Sequence, residues 1–340
     1  MELKWLEDFV MLANTASFSR AAEARNVTQS AFSRRIKQLE AWCGTPLISR
    51  ATIPAELTPE GKTFLPIAQE AIRTFHATRE VLRPDNRRRQ RSVNIASLHT
   101  LTVTMVPDWL DRIDAAVPGI VTKLIPDRGG IEANLEALVS GEADMLLTYA
   151  HPYVPMLLDP EQFDWIVLGH EAILPVIAPH LRGERAANPC EHDDFLAHAA
   201  ESKLNVPYLD YGPDSFFGTA LRRLFTDRPF RRHIVHENSI SVGLRELALH
   251  GWGLCWLPEM LVKDDLSNRH LILASPEPEW QLHVEIRLYR YRGDEQKHDQ
   301  RLWQVISQAL SVQGQVNGDG AIPPSLAEPS SFKTAAARFP

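Results

Sequence analysis

Over the first eighty residues, apolar positions recur at helical spacing. Leu6, Phe9, Val10 and Ala13 predict an amphipathic helix over about Leu3–Ala13, and Ser17 is placed to cap a short second helix running to Ala24. After the tight connection "RNV", Thr28 opens a third helix in which Phe32, Ile36, Leu39 and Cys43 form one apolar stripe. Ser30, Ser33, Arg34, Lys37 and Ala41 fall on the opposite side. "LTPEG" then predicts a long helix, with Thr58 as cap and Pro59 at the first helical position. Its Phe64, Ala68, Ala71, Phe75, Thr78 and Leu82 make a heptad-like seam. From Ser92 the pattern changes to short β-rich runs alternating with helical ones: "VNIAS", "VTKLIP", "ADMLLTYA", "FDWIVLG", "ILPVIAP", "VPYLDY", "GLCWLP" and "HVEIRLYRY". That alternation predicts α/β units with largely parallel sheets.

Two short helices joined by a three- or four-residue turn have helix-turn-helix spacing, and a major groove admits one α-helix. Gln29, Ser30, Ser33 and Arg34 occupy the N-terminal end of the third helix, where short polar side chains reach base edges and Arg can bridge guanine O6 and N7. Arg35 and Lys37 suit phosphate neutralisation. A merely solvated helix face is the competing reading, and the order of three helices weighs against it. Charge sharpens the contrast between the two parts of the chain. Residues 1–91 carry 15 Lys/Arg against 10 Asp/Glu and the remainder 21 against 33, so a basic module precedes an acidic body within a net charge of -7. At 340 residues and 44% hydrophobic content, the chain has material for two or three packed domains. It contains no apolar run of the roughly 20 residues that a membrane span needs. "MELKWLEDFVML" is acidic and lacks a cleavage pattern, so the expected location is the cytoplasm. Cys43, Cys190 and Cys255 are too scattered for a disulfide frame or a metal set.

These segments also resemble a known family. "SFSRAA", "QSAFSR", Leu39-Glu40 and "PLISR…LTPEG" lie within some sixty consecutive residues similar to the DNA-binding domain of LysR-type transcriptional regulators. Ile48 departs from the family's usual Phe. The resemblance implies a winged helix-turn-helix domain over 1–58 and a linker helix with hinge over 59–91 that pairs two subunits. The body it implies is an effector-binding domain of two Rossmann-like, periplasmic-binding-protein-like subdomains. They are placed at 92–168 with 271–310, and at 169–270, followed by a Gly/Pro/Ser-rich tail (311–340) expected to be disordered. With Ser17, Ser19 and Thr28 at the helix starts, the expected DNA-facing set is complete once Arg50 of the wing is added by resemblance. The implied partners are double-stranded DNA, a small-molecule or oxidant effector, further copies of the chain as dimer or tetramer, and RNA polymerase.

Within the body, Ser97, His99 and Thr100 stand where a strand gives way to a helix, a place for an anion or polar ligand. His99 suits an anion when protonated, or equally a local carbonyl. By resemblance, Arg128 and Gly129 after Asp127, Thr148, Tyr149, Tyr211, Asn238 and Ser239 line the rest of a cleft between subdomains. "IASLHTLTVTMVP" and "LHGWGLCWLPE" are further similar to the hypochlorite-responsive branch, although Met105, Met145, Met156 and Met260 read as core. Enzymatic readings find no support. "CEHDD" has no second ligand cluster, "GWGLC" is no nucleotide fingerprint, and thirteen histidines form no His-Glu-x-x-His pattern. No catalysis, metal or cofactor is expected. A solute-binding protein is the rival from another class, since it shares the cleft architecture.

Overall fold

The computed structural model describes residues 1–49, 54–81, 92–116, 118–125, 131–154, 156, 158, 162–182, 189–213, 215–292 and 303–305. Arg50, Leu82, Arg128, Gly129, the basic run 83–91 and the tail 311–340 lie outside the described residues.

The first helix, α1 (Leu3–Thr15), runs two residues past its expected end. The Thr15 hydroxyl donates to Met11 O (2.9 Å), and Ala16 closes the helix with a left-handed backbone at φ 51°. In α2 (Phe18–Ala24) the Ser17 hydroxyl accepts from Arg20 N–H, and in α3 (Gln29–Cys43) the Thr28 hydroxyl accepts from Ala31 N–H (3.3 Å). Phe32, Ile36 and Leu39 are fully buried, whereas Cys43 at the helix end is only half-buried. The two-residue strands β1 (Ile48–Ser49) and β2 (Glu56–Leu57) pair antiparallel as the wing. Helix α4 (Pro59–Val81) starts where Gly61 N–H donates to the Thr58 hydroxyl (2.9 Å).

The expected α4 seam divides into two parts. Phe64 packs on Phe9 of α1 (ring centroids 5.5 Å apart) and Ala68 is buried, while Phe75 stays 60% exposed and Thr78 is exposed. Its first half therefore belongs to the domain's own core, leaving Phe75, with Ile67 two turns earlier, on an open face.

In the body, β3 (Ser92–Ser97), β4 (Val121–Ile125), β5 (Met145–Ala150), β6 (Phe163–Ile177), β9 (Cys255–Pro258), β10 (Ile272–Leu273) and β11 (Leu282–Tyr291) form one seven-stranded sheet. A separate pair joins β7 (Val206–Asp210) to β8 (Arg232–Glu237). The expectation of largely parallel sheets is corrected here. Among the named strands of the described residues, β3–β4, β3–β5 and β7–β8 pair parallel, and every pairing of β6 and β11 is antiparallel. The parallel strands β3 and β4 are joined through helices α5 (His99–Thr104) and α6 (Val106–Ala116), as a parallel crossover requires. β7 and β8 are joined in the same way through α9 (Phe216–Asp227), which follows α8 (Phe195–Glu201). "FDWIVLG" and the first five residues of "ILPVIAP" belong to one fifteen-residue strand, β6. Its first part pairs with β11 and its last residues with β9 and β10, so the expected subdomain change at 168/169 falls inside a continuous strand.

Helix α7 (Ile131–Val139) lies against β3 and β5, and α10 (Ser241–Leu249) and α11 (Glu259–Ser267) flank β9. Leu135, Leu138 and Val139 of α7 share one apolar cluster with Leu6, Phe9, Ala68 and Ile72, so body and N-terminal domain have a common core. Among the described residues, no helix is long and apolar enough to cross a membrane.

Candidate functional site

The N-terminal end of α3 presents its polar side chains outward because Phe32, Ile36 and Leu39 consume the opposite face. Thr28, Gln29, Ser30, Arg34 and Lys37 are exposed and Ser33 is half-buried. The Ser19 hydroxyl reaches Gln29 Oε1 (3.4 Å), and the Thr28 and Ser30 hydroxyls lie 3.2 Å apart. With Ser17 half-buried at the start of α2, the expected reading set forms one surface on α2 and α3. Arg35 has a different environment. Its Nη1 donates to Asp8 Oδ2 (3.2 Å), and Asp8 is fully buried, so this charge is directed inward to α1. The sequence suggests Arg35 for phosphate neutralisation without showing this contact, because Asp8 lies twenty-seven positions away, outside any local pattern.

In the body, Ser97 ends β3 opposite Leu147, next to Thr148 on β5, and both polar residues are buried. Thr100 is buried in the first turn of α5 and His99 is exposed. The two tyrosines converge on Phe217, with ring centroids 5.0 Å (Tyr149) and 5.2 Å (Tyr211) from it, and Phe216 lies tilted against Tyr149 at 6.0 Å. Their hydroxyls are already engaged. Tyr149 donates to Glu171 Oε2 (2.8 Å) and Tyr211 to Ser241 Oγ (2.9 Å). Asn238 Oδ1 accepts from Ile240 N–H (2.9 Å) in the turn before α10, and Ser239 is exposed. An open depression of about 560 Å³ lined by Asn205, Phe230, Arg231, Arg232 and Ile234 includes none of the expected cleft residues.

Glu171, Phe216, Phe217 and Ser241 were not identified from the sequence. The only available signal was an acid inside the apolar run "GHEAIL". Glu171 sits on β6 and is buried. Its Oε1 accepts from Met260 N–H (3.0 Å) at the start of α11 while Oε2 holds Tyr149, so one carboxylate ties β5 to α11. Burial raises its pKa above the ordinary 4.5, against the lowering effect of the Tyr149 and Met260 hydrogen bonds, and Glu259 raises it further. Burial likewise raises the Tyr149, Tyr211 and Cys255 groups. A carboxyl whose folded pKa is raised holds its proton longer in the folded state than in the unfolded state. Stability from this group is thus complete below the unfolded value near 4.5 and is lost as pH rises through the folded value. Thermal melting across that interval should show the slope in the wild type and a flatter profile in Glu171→Gln. Because Gln offers one acceptor to two donors, it should also cost roughly 1–2 kcal/mol. An identical slope in both would remove Glu171 as the cause.

Residues 3–62 match the family described as bacterial regulatory helix-turn-helix protein, lysR family, and residues 86–311 match the LysR substrate binding domain. The chain is 28% identical over 311 residues to the HTH-type transcriptional regulator YjiE of Escherichia coli (strain K12), covering 90% of this chain and 94% of YjiE. It is also similar to the crystal structure of VV2_1132, a LysR family transcriptional regulator: 30% identity, TM-score 0.56, with 90% of this chain and 98% of that one covered. The full-length structure of HypT from Salmonella typhimurium, described as a hypochlorite-specific LysR-type transcriptional regulator, matches at 25% identity and TM-score 0.53, covering 92% of this chain and 99% of that one.

Proposed function

Because this chain belongs to the LysR family of DNA-binding transcriptional regulators, we propose that Gln29, Ser30, Ser33 and Arg34 read a dyad operator. The protein does this as a homo-oligomer in the cytoplasm. The observation that carries the reading is the α3 surface itself: an exposed polar N-terminal end held from behind by a fully buried stripe. Two copies would place two α3 helices in successive major grooves, about one turn or 10–10.5 base pairs apart. The exposed Ile67 and Phe75 on α4 supply an apolar face for pairing copies. In the body, the buried Ser97 and Thr100, where β3 gives way to α5, and the buried Thr148 on β5 are the polar groups for a small effector. An effector regulates only by unequal affinity for two arrangements of the body.

The test is selection of duplexes by the full chain from a random-sequence pool, followed by footprinting. Two protected half-sites about one turn apart support the reading. Selected duplexes with no shared motif would sink it.

A second reading, an oxidant as effector, has one observation in its favour. Met145 is buried and Met105 and Met156 are half-buried, but Met260, expected as core, is 45% exposed at the start of α11. Hypochlorite transfers oxygen to a thioether, giving sulfoxide and chloride, and the Met260 N–H is the one bound to Glu171. Hypochlorite treatment should change affinity for the selected duplex in the wild type and leave Met260→Leu unaffected. An equal response in both discards Met260 as the sensor.

A further inference from the structure

Arg25 closes α2 at the turn into α3, its N–H bonded to Ala21 O (3.0 Å). Its guanidinium contacts three carboxylates. Nε donates to Asp8 Oδ1 (3.0 Å), Nη1 to Glu136 Oε1 (2.6 Å), and Nη2 to Glu7 Oε2. The side chain is only 19% exposed, and Asp8 is fully buried. Burial opposes the Arg25 charge, but Glu136, Glu7 and Asp8 outweigh it and leave the pKa above its ordinary value. The second oxygen of Asp8 takes Arg35 of the recognition helix, next in sequence to the exposed Arg34.

Glu7 and Asp8 belong to the N-terminal domain, whereas Glu136 belongs to the body, on α7. That helix lies against β3 and β5, the strands that carry Ser97 and Thr148. It is fixed a second time by the linker helix. Arg73 of α4, buried and stacked over Tyr291 (3.5 Å to the ring centroid), donates Nη1 to Leu138 O (2.9 Å). A continuous set of ion pairs thus runs from α7 through Glu136, Arg25 and Asp8 to Arg35 on α3. Arginine suits the junction because its planar fork serves several carboxylates in fixed directions, which an ammonium does not.

We propose that Arg25, held by Glu136, is a positioning residue that fixes the recognition helix relative to the body and so sets the half-site spacing the protein accepts. The proposal rests on the operator-reading function above. Arg25 and Glu136 contact no base in this scheme; they act through Asp8 and Arg35.

The experiment compares wild type, Glu136→Ala and Arg25→Lys, all full-length, on two duplexes. One is the duplex that the wild type selects from a random pool. The other carries an insertion of about 5 base pairs, half a helical turn, between its half-sites. The wild type should bind the second duplex about thirtyfold more weakly and both variants less than about fivefold more weakly, a change within the usual range of inter-site coupling. Hydrogen exchange over residues 18–43 should be several-fold faster in both variants, with exchange in β7–β9 unchanged. Unaltered spacing discrimination in both variants overturns the proposal, and unaltered exchange beside it also removes Glu136 as the tether of the N-terminal domain. If the wild type selects no duplex, the operator reading fails by itself, and the exchange comparison still decides whether Glu136 holds the N-terminal domain.

Discussion

Replacing Gly61 by alanine should cost roughly 1–3 kcal/mol of stability, the range of an overpacked core, and should lower affinity for the selected duplex more than tenfold. A Cβ at this position would sit 2.1 Å from Leu47 O and 3.0 Å from Leu47 C, and both are backbone atoms that no rotamer change can move. That carbonyl already accepts from Thr58 N–H (3.0 Å), and the Thr58 hydroxyl donates to Pro46 O (2.8 Å). Across the same segment, Glu40 Oε1 of α3 accepts from Leu47 N–H (3.0 Å) and Ile48 N–H (3.1 Å). The first wing strand is therefore pinned between the recognition helix and the first turn of α4, and alanine would displace it from both. Gly44 provides the contrast. It ends α3 at φ 73° with nothing within 4 Å of a Cβ, so alanine there meets only backbone strain, about 1–2 kcal/mol, and leaves the wing in place. Thermal melting and fluorescence anisotropy on both variants separate the two effects. Wild-type operator affinity in Gly61→Ala would refute the close-approach argument.

The difference between what the sequence revealed and what it concealed follows the range of the interactions. The Thr28 cap, the Phe32–Ile36–Leu39 stripe and the Thr58–Pro59 start of α4 are all local, and periodicity with capping chemistry located each of them. The body's strands were legible as runs, but their directions were not, because pairing of β6 with β11 depends on segments more than a hundred residues apart. Strand β8 escaped notice because all six of its residues are exposed or half-buried and do not alternate cleanly. For Tyr149 and Tyr211, both expected at the effector cleft, the engagement of their hydroxyls by Glu171 and Ser241 is visible only in the fold. The hidden partners share one feature: each is a buried polar group satisfied from a distant part of the chain, as the cost of leaving it unpaired demands.

The same distinction separates three neighbouring cations on α3 and leads to the sharpest functional test. Arg34 is exposed at the reading end, so Arg34→Ala should weaken binding to the selected duplex by about 1–3 kcal/mol, roughly 5–150-fold, and relax preference at one base position. Lys37, exposed one turn further on, should behave as a phosphate anchor. Its alanine variant should bind every duplex more weakly by a similar factor and lower the salt slope by about 1. Arg35→Ala should act mainly on folding, because it removes one partner from the fully buried Asp8 and leaves that carboxylate to Arg25 alone. Anisotropy titrations against the selected duplex and single-base variants of it, at several salt concentrations, distinguish the three outcomes. Unchanged base preference in Arg34→Ala would remove α3 as the reading element. A selectivity change in Arg35→Ala without any loss of melting temperature would mean that its side chain leaves Asp8 when DNA binds.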